Sequence, residues 1–329
     1  MSGIITIRTL RQLGPKEIQG LSDVLRDCVE GGASVSFMWP LSRAKADNYW
    51  RGLSADVASG RRVVIAAEDA GGELVGTASV VLDLPENQPH RAELSKMLVH
   101  RRVRRQGVGA KLLDAAERAA IQAGKSLLVL DTASGDAERV YERGGWRRSG
   151  RIPCYALMPD GAPCATTIYF KILQEFRAYA PADRTDCLAL FDANCPVYFA
   201  ANERSDYQRF LAGNPDGYTV CVAVGQVVGA FGLFKHQSGR ASLNWILISP
   251  QLQASGIGSA MMNQVKQQAR LSSVTLVEIA ASHLSAPFFA KFGAVSLRET
   301  PDGWGPGMHR IDMELSLGDT PGHLAAGRF

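Results

Sequence analysis

Two hydrophobic rhythms alternate along this chain. Apolar residues at strand spacing fill Arg62–Glu68 and Glu73–Leu82 on either side of the turn Asp69-Ala70-Gly71-Gly72. The same arrangement recurs at Tyr218–Val224 and Val227–Phe234 around Gly225-Gln226. Both predict β-hairpins. Further on, the apolar runs Lys96–Val99 and Trp245–Ile248 each lead through a short glycine loop into helical periodicity, over Ala110–Ala123 and Ser259–Leu271. A β-rich run follows each helix, Ser126–Asp131 and Val274–Ala280, and then a helical signal that ends in glycine at Gly145 and Gly293. Thr166–Ile172 and Met308–Leu315 read as closing strands, with a hairpin expected near Pro153. Each half thus predicts a helical region, a hairpin, a strand, a loop, a helix, a strand, a helix and a strand. That is a mixed α/β domain.

The two loops are variants of one pattern. Arg104-Arg105-Gln106-Gly107-Val108-Gly109 and Gln253-Ala254-Ser255-Gly256-Ile257-Gly258 lie 149 residues apart, and the glycines Gly145 and Gly293 lie 148 apart. Spacing kept over that length indicates internal duplication. The expected division is 1–173 and 174–317, with the junction near 173–181 and a flexible Gly- and Ala-rich tail over 318–329. A strand, a glycine loop and a helix start together form an anion site. Glycine lets the backbone approach the ligand, and the first N–H groups of the helix point at it.

Composition narrows the reading. The chain has 329 residues, 46% of them hydrophobic, with a mean hydropathy near zero, as in an ordinary globular protein. No apolar run reaches the roughly 18 residues of a membrane span, and the N-terminus lacks the pattern of a signal peptide, so the cytoplasm is the expected location. The six cysteines contain no C-x-x-C pair and the six histidines are dispersed, so no metal is expected. The net charge of +4 is mild but concentrated in His100–Arg105. That run abuts the glycine loop and has no interleaved aromatics, which favours a small polyphosphate over nucleic acid.

A strand, Arg/Gln-x-x-Gly-x-Gly, a helix, a strand and a tyrosine-bearing helix, twice over, resemble the GNAT superfamily of N-acetyltransferases. The resemblance implies two tandem domains, each a mixed, mostly antiparallel sheet with a splayed central parallel pair, flanked by helices. It implies acetyl-CoA as cofactor. The cofactor contacts it implies are Met97, Leu98, Val99, Arg104, Arg105, Gln106, Gly107, Val108, Gly109 and Ala110 in the first half. In the second they are Leu247, Ile248, Gln253, Ser255, Gly256, Ile257, Gly258 and Ser259. Arg101 and Arg102 join Arg105 as candidates for the outer phosphate. The segments 31–38, 91–99, 130–132, 159–161 and 167–171 are similar, more closely, to the tabtoxin-resistance acetyltransferases, which act on an amino-acid toxin.

Acetyl transfer to an amine needs a base, because a lysine-type amine titrates near ~10.4 and an α-amine near ~8. The resemblance carries this role to Glu93 and Asp131, with alternatives in an Arg91–Glu93 ion pair and a capping role for Asp131. It carries protonation of the leaving thiolate to Tyr141, whose alternative is packing. Ser34, Phe37 and Trp39 fall where an acceptor loop is expected, and Cys154 and Tyr155 are further candidates. In the second half Ser242, Ala280 and Phe289 align with Glu93, Asp131 and Tyr141, and His283 is a possible substitute base. The expected partner is a small-molecule amine, such as a toxin or antibiotic, with neither nucleic acid nor membrane. Alternatives are a protein-lysine or polyamine acceptor, or a non-catalytic acyl-CoA sensor. The assembly expected is a monomeric pseudo-dimer or a homodimer.

Overall fold

A computed structural model describes residues 4–133, 135–223, 225–236 and 239–318. The expected tail, apart from Gly318, lies outside them. The chain divides into two compact units, Met1–Leu173 and Gln174–Phe329.

In the first unit the elements are β1 (Thr6–Leu10), α1 (Pro15–Glu30), α2 (Arg43–Gly52), α3 (Ser54–Ala58), β2 (Arg62–Glu68) and β3 (Leu74–Val81), then β4 (Arg91–Val99), α4 (Val108–Gln122), β5 (Leu127–Thr132), α5 (Gly135–Arg143), β6 (Arg147–Leu157) and β7 (Pro163–Ile172). The strands form one sheet in the order β1-β2-β3-β4-β5-β7-β6. Helix α1 has Pro15 in its first turn and buries Ile18, Leu21, Ser22, Leu25 and Val29 on one stripe. That stripe packs with Val64, Ala66, Leu74 and Leu98 on one face of the sheet. Helix α4 buries Val108, Leu112, Leu113, Ala116 and Ala120 with Ile65, Ala67, Ala92 and Leu94 on the other.

The second unit contains β8 (Glu175–Ala178), α6 (Arg184–Asn194), α7 (Arg204–Ala212), β9 (Tyr218–Ala223), β10 (Gln226–Lys235) and β11 (Arg240–Ile248), then α8 (Ile257–Leu271), β12 (Leu276–Ser282), α9 (Ala286–Ala290), β13 (Val295–Gly305) and β14 (Met308–Ser316). Read from its first strand, its sheet repeats the order of the first: β8-β9-β10-β11-β12-β14-β13.

Three features depart from the hydrophobic pattern. Strands β1 and β8 open the sheets, and β8 occupies part of the segment read as a junction. With only four residues it has room for one apolar anchor, Phe176, whose ring lies 6.4 Å from that of Phe231. Pro153 marks no hairpin: it lies inside β6, which runs on to Leu157, and the turn comes at Met158–Ala162. An edge strand tolerates proline because one side of it has no ladder to complete. The pairing is irregular there, between Ile152 and Ala156, and Cys154 has a φ of 52°.

The start of the second unit is tied by Asp183. Its carboxylate accepts from Arg177 Nη1 and Nη2, each at 2.7 Å, and from the Ala180 amide at 2.8 Å. Those bonds, the Arg177 contribution first, hold its carboxyl below the ordinary range. The bridge therefore stabilises above the unfolded-state pKa of about 3.9 and is lost as pH falls through the lower folded value. Asp183→Asn is expected to cost about 2 kcal/mol in urea unfolding of the second unit at neutral pH.

Candidate active site

In each unit the two central parallel strands separate. Strands β4 and β5 pair at Arg91–Leu127, Ala92–Leu128 and Glu93–Val129, and no further. Strands β11 and β12 pair from Arg240–Leu276 to Leu243–Ile279. A bulge opens each fork. Lys96 and Trp245 both take a left-handed backbone with φ 49°. Leu94 packs on the α4 side and Leu98 on the α1 side, although a regular strand would put residues four apart on one face. The register also shows that Ser242, Ala280 and Ala281 stand where Glu93, Asp131 and Thr132 stand in the first unit.

Beyond each fork the glycine loop opens a long helix. Gly107 caps α4 with φ 77° and Gly256 caps α8 with φ 102°, and neither helix has a capping side chain. The first intrahelical acceptors are Gly107 O, bound by Lys111 N at 3.2 Å, and Gly256 O, bound by Ala260 N at 3.0 Å. The amides of Val108, Gly109 and Ala110, and of Ile257, Gly258 and Ser259, are thus left for an outside acceptor. A Cβ built on Gly107 would meet nothing within 4 Å, so the space beside the loop is open. These features suit a pyrophosphate. The apolar strand ends Met97–Val99 and Leu247–Ile248 run toward the same place.

Several charged candidates are committed elsewhere. Arg104 donates from Nε to Val99 O at 3.1 Å and so ties the loop to its strand. Arg101 pairs with Asp27 and Glu30 at 2.9 and 2.6 Å, and Arg102 with Asp69 at 2.8 Å. Arg105 makes no ion pair among the described residues, and Gln106 is exposed. In the second loop Gln253 and Ala254 line a cavity, while the Ser255 hydroxyl donates to Leu252 O at 2.6 Å.

The catalytic candidates of the first unit are not equivalent. Glu93 is half exposed and pairs with Arg91 at 2.9 Å. Asp131 is exposed at the end of β5 and accepts from Thr166 Oγ1 at 2.8 Å. Tyr141 is buried on α5, with its ring 5.8 Å from Trp146 and 6.0 Å from Tyr169. Burial first, and the Asp131 charge second, push its phenol well above the ordinary value. The bulge aims Lys96 into the same cleft: its ammonium donates to Ser36 Oγ at 3.2 Å and lies 5.5 Å from the Tyr49 ring. Burial and the Arg62 charge lower its pKa, against an upward pull from Asp131. Arg62 donates to Ser79 Oγ at 2.9 Å, and its buried Nε has no partner among the described residues.

The acceptor-loop candidates divide. Phe37 stands edge-on to Tyr49 at 5.3 Å, in the cleft. Ser34 donates to Leu157 O at 3.1 Å, and the Trp39 amide donates to Pro159 O at 3.0 Å, so both anchor the loop to the β6–β7 hairpin. Cys154 and Tyr155 are exposed on edge strand β6. Lys96, Arg62, Tyr49 and Thr166 carry no motif of their own. The signal for them is one lysine inside an apolar run.

In the second unit Phe289, buried at the Tyr141 position, has no proton to give. His283 accepts from the His309 amide on Nδ1 at 3.2 Å, a bond that fastens β14. Among the described residues no group of His, Cys, Asp and Glu could hold a metal, and no helix is long and apolar enough to cross a membrane.

A family model described as acetyltransferase (GNAT) matches residues 24–146 and again 187–294, more than half of the chain. The chain belongs to the acetyltransferase (GNAT) family. It is a tandem protein of that family, with one acetyltransferase (GNAT) match in each half. Several solved structures are similar to one half of it. A candidate phosphinothricin N-acetyltransferase has 20% identity over 52% of this chain and 100% of its own, with TM-score 0.44. The yncA protein of Salmonella typhimurium, solved with its cofactor acetyl-CoA, has 21% identity over 51% and 94%, with TM-score 0.43. A ribosomal-protein-alanine N-acetyltransferase from Brucella melitensis has 23% identity over 51% and 99%, with TM-score 0.43.

Proposed function

We propose that the first GNAT unit acetylates the amine of a small molecule that also carries an acidic group, such as an amino-acid toxin or antibiotic, as in detoxification or self-resistance. The observation that carries this reading is the side-chain set at the mouth of the β4–β5 fork. Asp131 is exposed there beside Tyr141 and Lys96, with Thr166 holding the carboxylate.

Acetyl-CoA, when bound, supplies the thioester at this mouth. The amides of Val108, Gly109 and Ala110 and the Arg105 guanidinium would hold its phosphates. Asp131 takes the proton of the acceptor amine. Glu93, drawn off by Arg91, serves less well as a base. Lys96 and Arg62 favour a neutral amine over an ammonium in the cleft, and they attract an acidic group on the acceptor. The same charges disfavour polyamines and lysine-rich peptides.

Tyr141 keeps its phenolic proton at neutral pH as any phenol does, and burial and Asp131 raise its pKa further. When Asp131 takes up a proton, its charge no longer acts on the phenol. That makes the phenol a better donor at the moment the thiolate departs. Tyr141→Phe is expected to lower kcat about 10- to 100-fold and to leave acetyl-CoA affinity within about two-fold. An unchanged kcat makes Tyr141 a packing residue. Lys96→Met tests the acceptor class. It is expected to raise KM for carboxylate-bearing amines about ten-fold, the scale of one charge-assisted hydrogen bond, and to leave KM for uncharged amines nearly unchanged. An equal rise for both kinds of amine removes the acidic group from the proposal.

A further inference from the structure

We infer that the second GNAT unit is an acetyltransferase in its own right, specific for amines with an aromatic or bulky apolar body, and that Glu203 is its base. The inference rests on the reading that the Gly256 loop holds acetyl-CoA.

A cavity of about 540 Å³ opens at the β11–β12 fork. Its walls include Phe199, Trp245, Phe288, Phe289 and Trp304. Trp245 stands at the bulge position that Lys96 holds in the first unit. Its ring stacks at 6.2 Å on Phe199 and lies 4.9 Å from Tyr207, so the aromatic wall is fixed in advance. Ala280 occupies the place of Asp131 and leaves room there.

Glu203 lines the same cavity and is the only charged lining residue among the described residues. It sits between the helical segments α6 and α7, far in sequence from the fork strands. Its Oε1 accepts from the Ala200 amide at 2.8 Å, which fixes the side chain. Its other oxygen has no hydrogen-bond partner among the described residues. Burial, helped by Asp206, raises the carboxyl against the pull of the Ala200 amide, in the direction that suits a base.

Aromatic faces and one carboxylate are what an organic ammonium requires: the rings attract the cation and cover the apolar body. Among the described residues no cation lines the cavity, so the acceptors of the two units differ in charge. In the transfer, Glu203 takes a proton from the bound ammonium and the neutral nitrogen forms a bond to the acetyl carbon. The carbon–sulfur bond of acetyl-CoA breaks, the second nitrogen proton is lost to water as the amide forms, and the departing thiolate takes up a proton from water. Phe289 offers no proton, so a slower turnover than in the first unit is expected.

The test uses 2-phenylethylamine and the full chain carrying Gly107→Glu, with and without Glu203→Gln. Calorimetry without acetyl-CoA should show the amine binding, weakened at least ten-fold by Glu203→Gln. With acetyl-CoA, thiol release should continue in the Gly107→Glu protein and fall at least 100-fold with Glu203→Gln added. Mass spectrometry of N-acetyl-2-phenylethylamine made by the chain without Gly107→Glu repeats the comparison, should that substitution impair folding. Binding and rate both unchanged by Glu203→Gln overturn the inference, as does an absence of amine binding. Failure of the first unit to acetylate acidic amines moves none of these readouts.

Discussion

Gly107→Glu is expected to abolish acetyl transfer to small acidic amines, with acetyl-CoA affinity at the first unit down by at least 100-fold. Three effects act together. Gly107 has φ 77°, a conformation that costs a side-chain-bearing residue about 1–2 kcal/mol. The new side chain enters open space at the start of α4, since a Cβ on Gly107 meets nothing within 4 Å. Its carboxylate then offers the free α4 amides a partner of the same charge as the phosphates. Residues 104–107 are exposed, so unfolding should shift by no more than about 2 kcal/mol. Gly256→Glu makes the same change in the second unit, where the cap has φ 102°. It should spare most transfer to acidic amines. Calorimetry with acetyl-CoA and thiol-release kinetics on both variants check this. Loss confined to Gly256→Glu, in folded protein, moves the activity to the second unit.

Asp131→Asn is the second large effect. The amide can still accept from Thr166, so the end of β5 should keep its geometry. The base is gone, and kcat for acidic amines should fall about 10²- to 10⁴-fold. Two neighbours report the lost charge. Tyr141 loses one of the two causes that raise its phenol, and Lys96 loses the charge that pulls its pKa up. Tyrosine titration should therefore shift toward lower pH in the variant, which a merely structural role for Asp131 also allows. The kcat-against-KM split separates the two. A change confined to KM makes Asp131 a binding residue. Glu93→Gln serves as the comparison, with an expected loss of about three-fold or less because Arg91 already holds that carboxylate.

The order of elements is legible in the sequence because it rests on periodicity and glycine. The hairpins, the two capped helices and the parallel strands follow from apolar spacing and from Gly107, Gly145, Gly256 and Gly293. The bulges are not legible. Their left-handed residues are Lys96 and Trp245, types that seldom adopt φ > 0, and nothing nearby in sequence marks them. Yet the bulges decide which side chains enter the clefts. Loop arginines likewise read as phosphate ligands until their partners are known: Arg104 holds Val99, and Arg101 and Arg102 hold acids of distant elements. Only tertiary pairing separates them from Arg105. The inequality of the two halves was visible in the substitutions of Asp131 by Ala280 and Tyr141 by Phe289. The replacement chemistry around Glu203 was not, because it comes from a helical segment outside the duplicated motif.

The most direct measurement is thiol release from acetyl-CoA by the full chain across a panel of amines. The panel holds amino acids, β-lactam amino acids, aminoglycosides, polyamines and histone peptides, and each product is identified by mass. Saturable release with small carboxylate-bearing amines, lost in Asp131→Asn, is the predicted result. Release only with polyamines or peptides, or acetyl-CoA binding with no acetylated amine from any member of the panel, would contradict it.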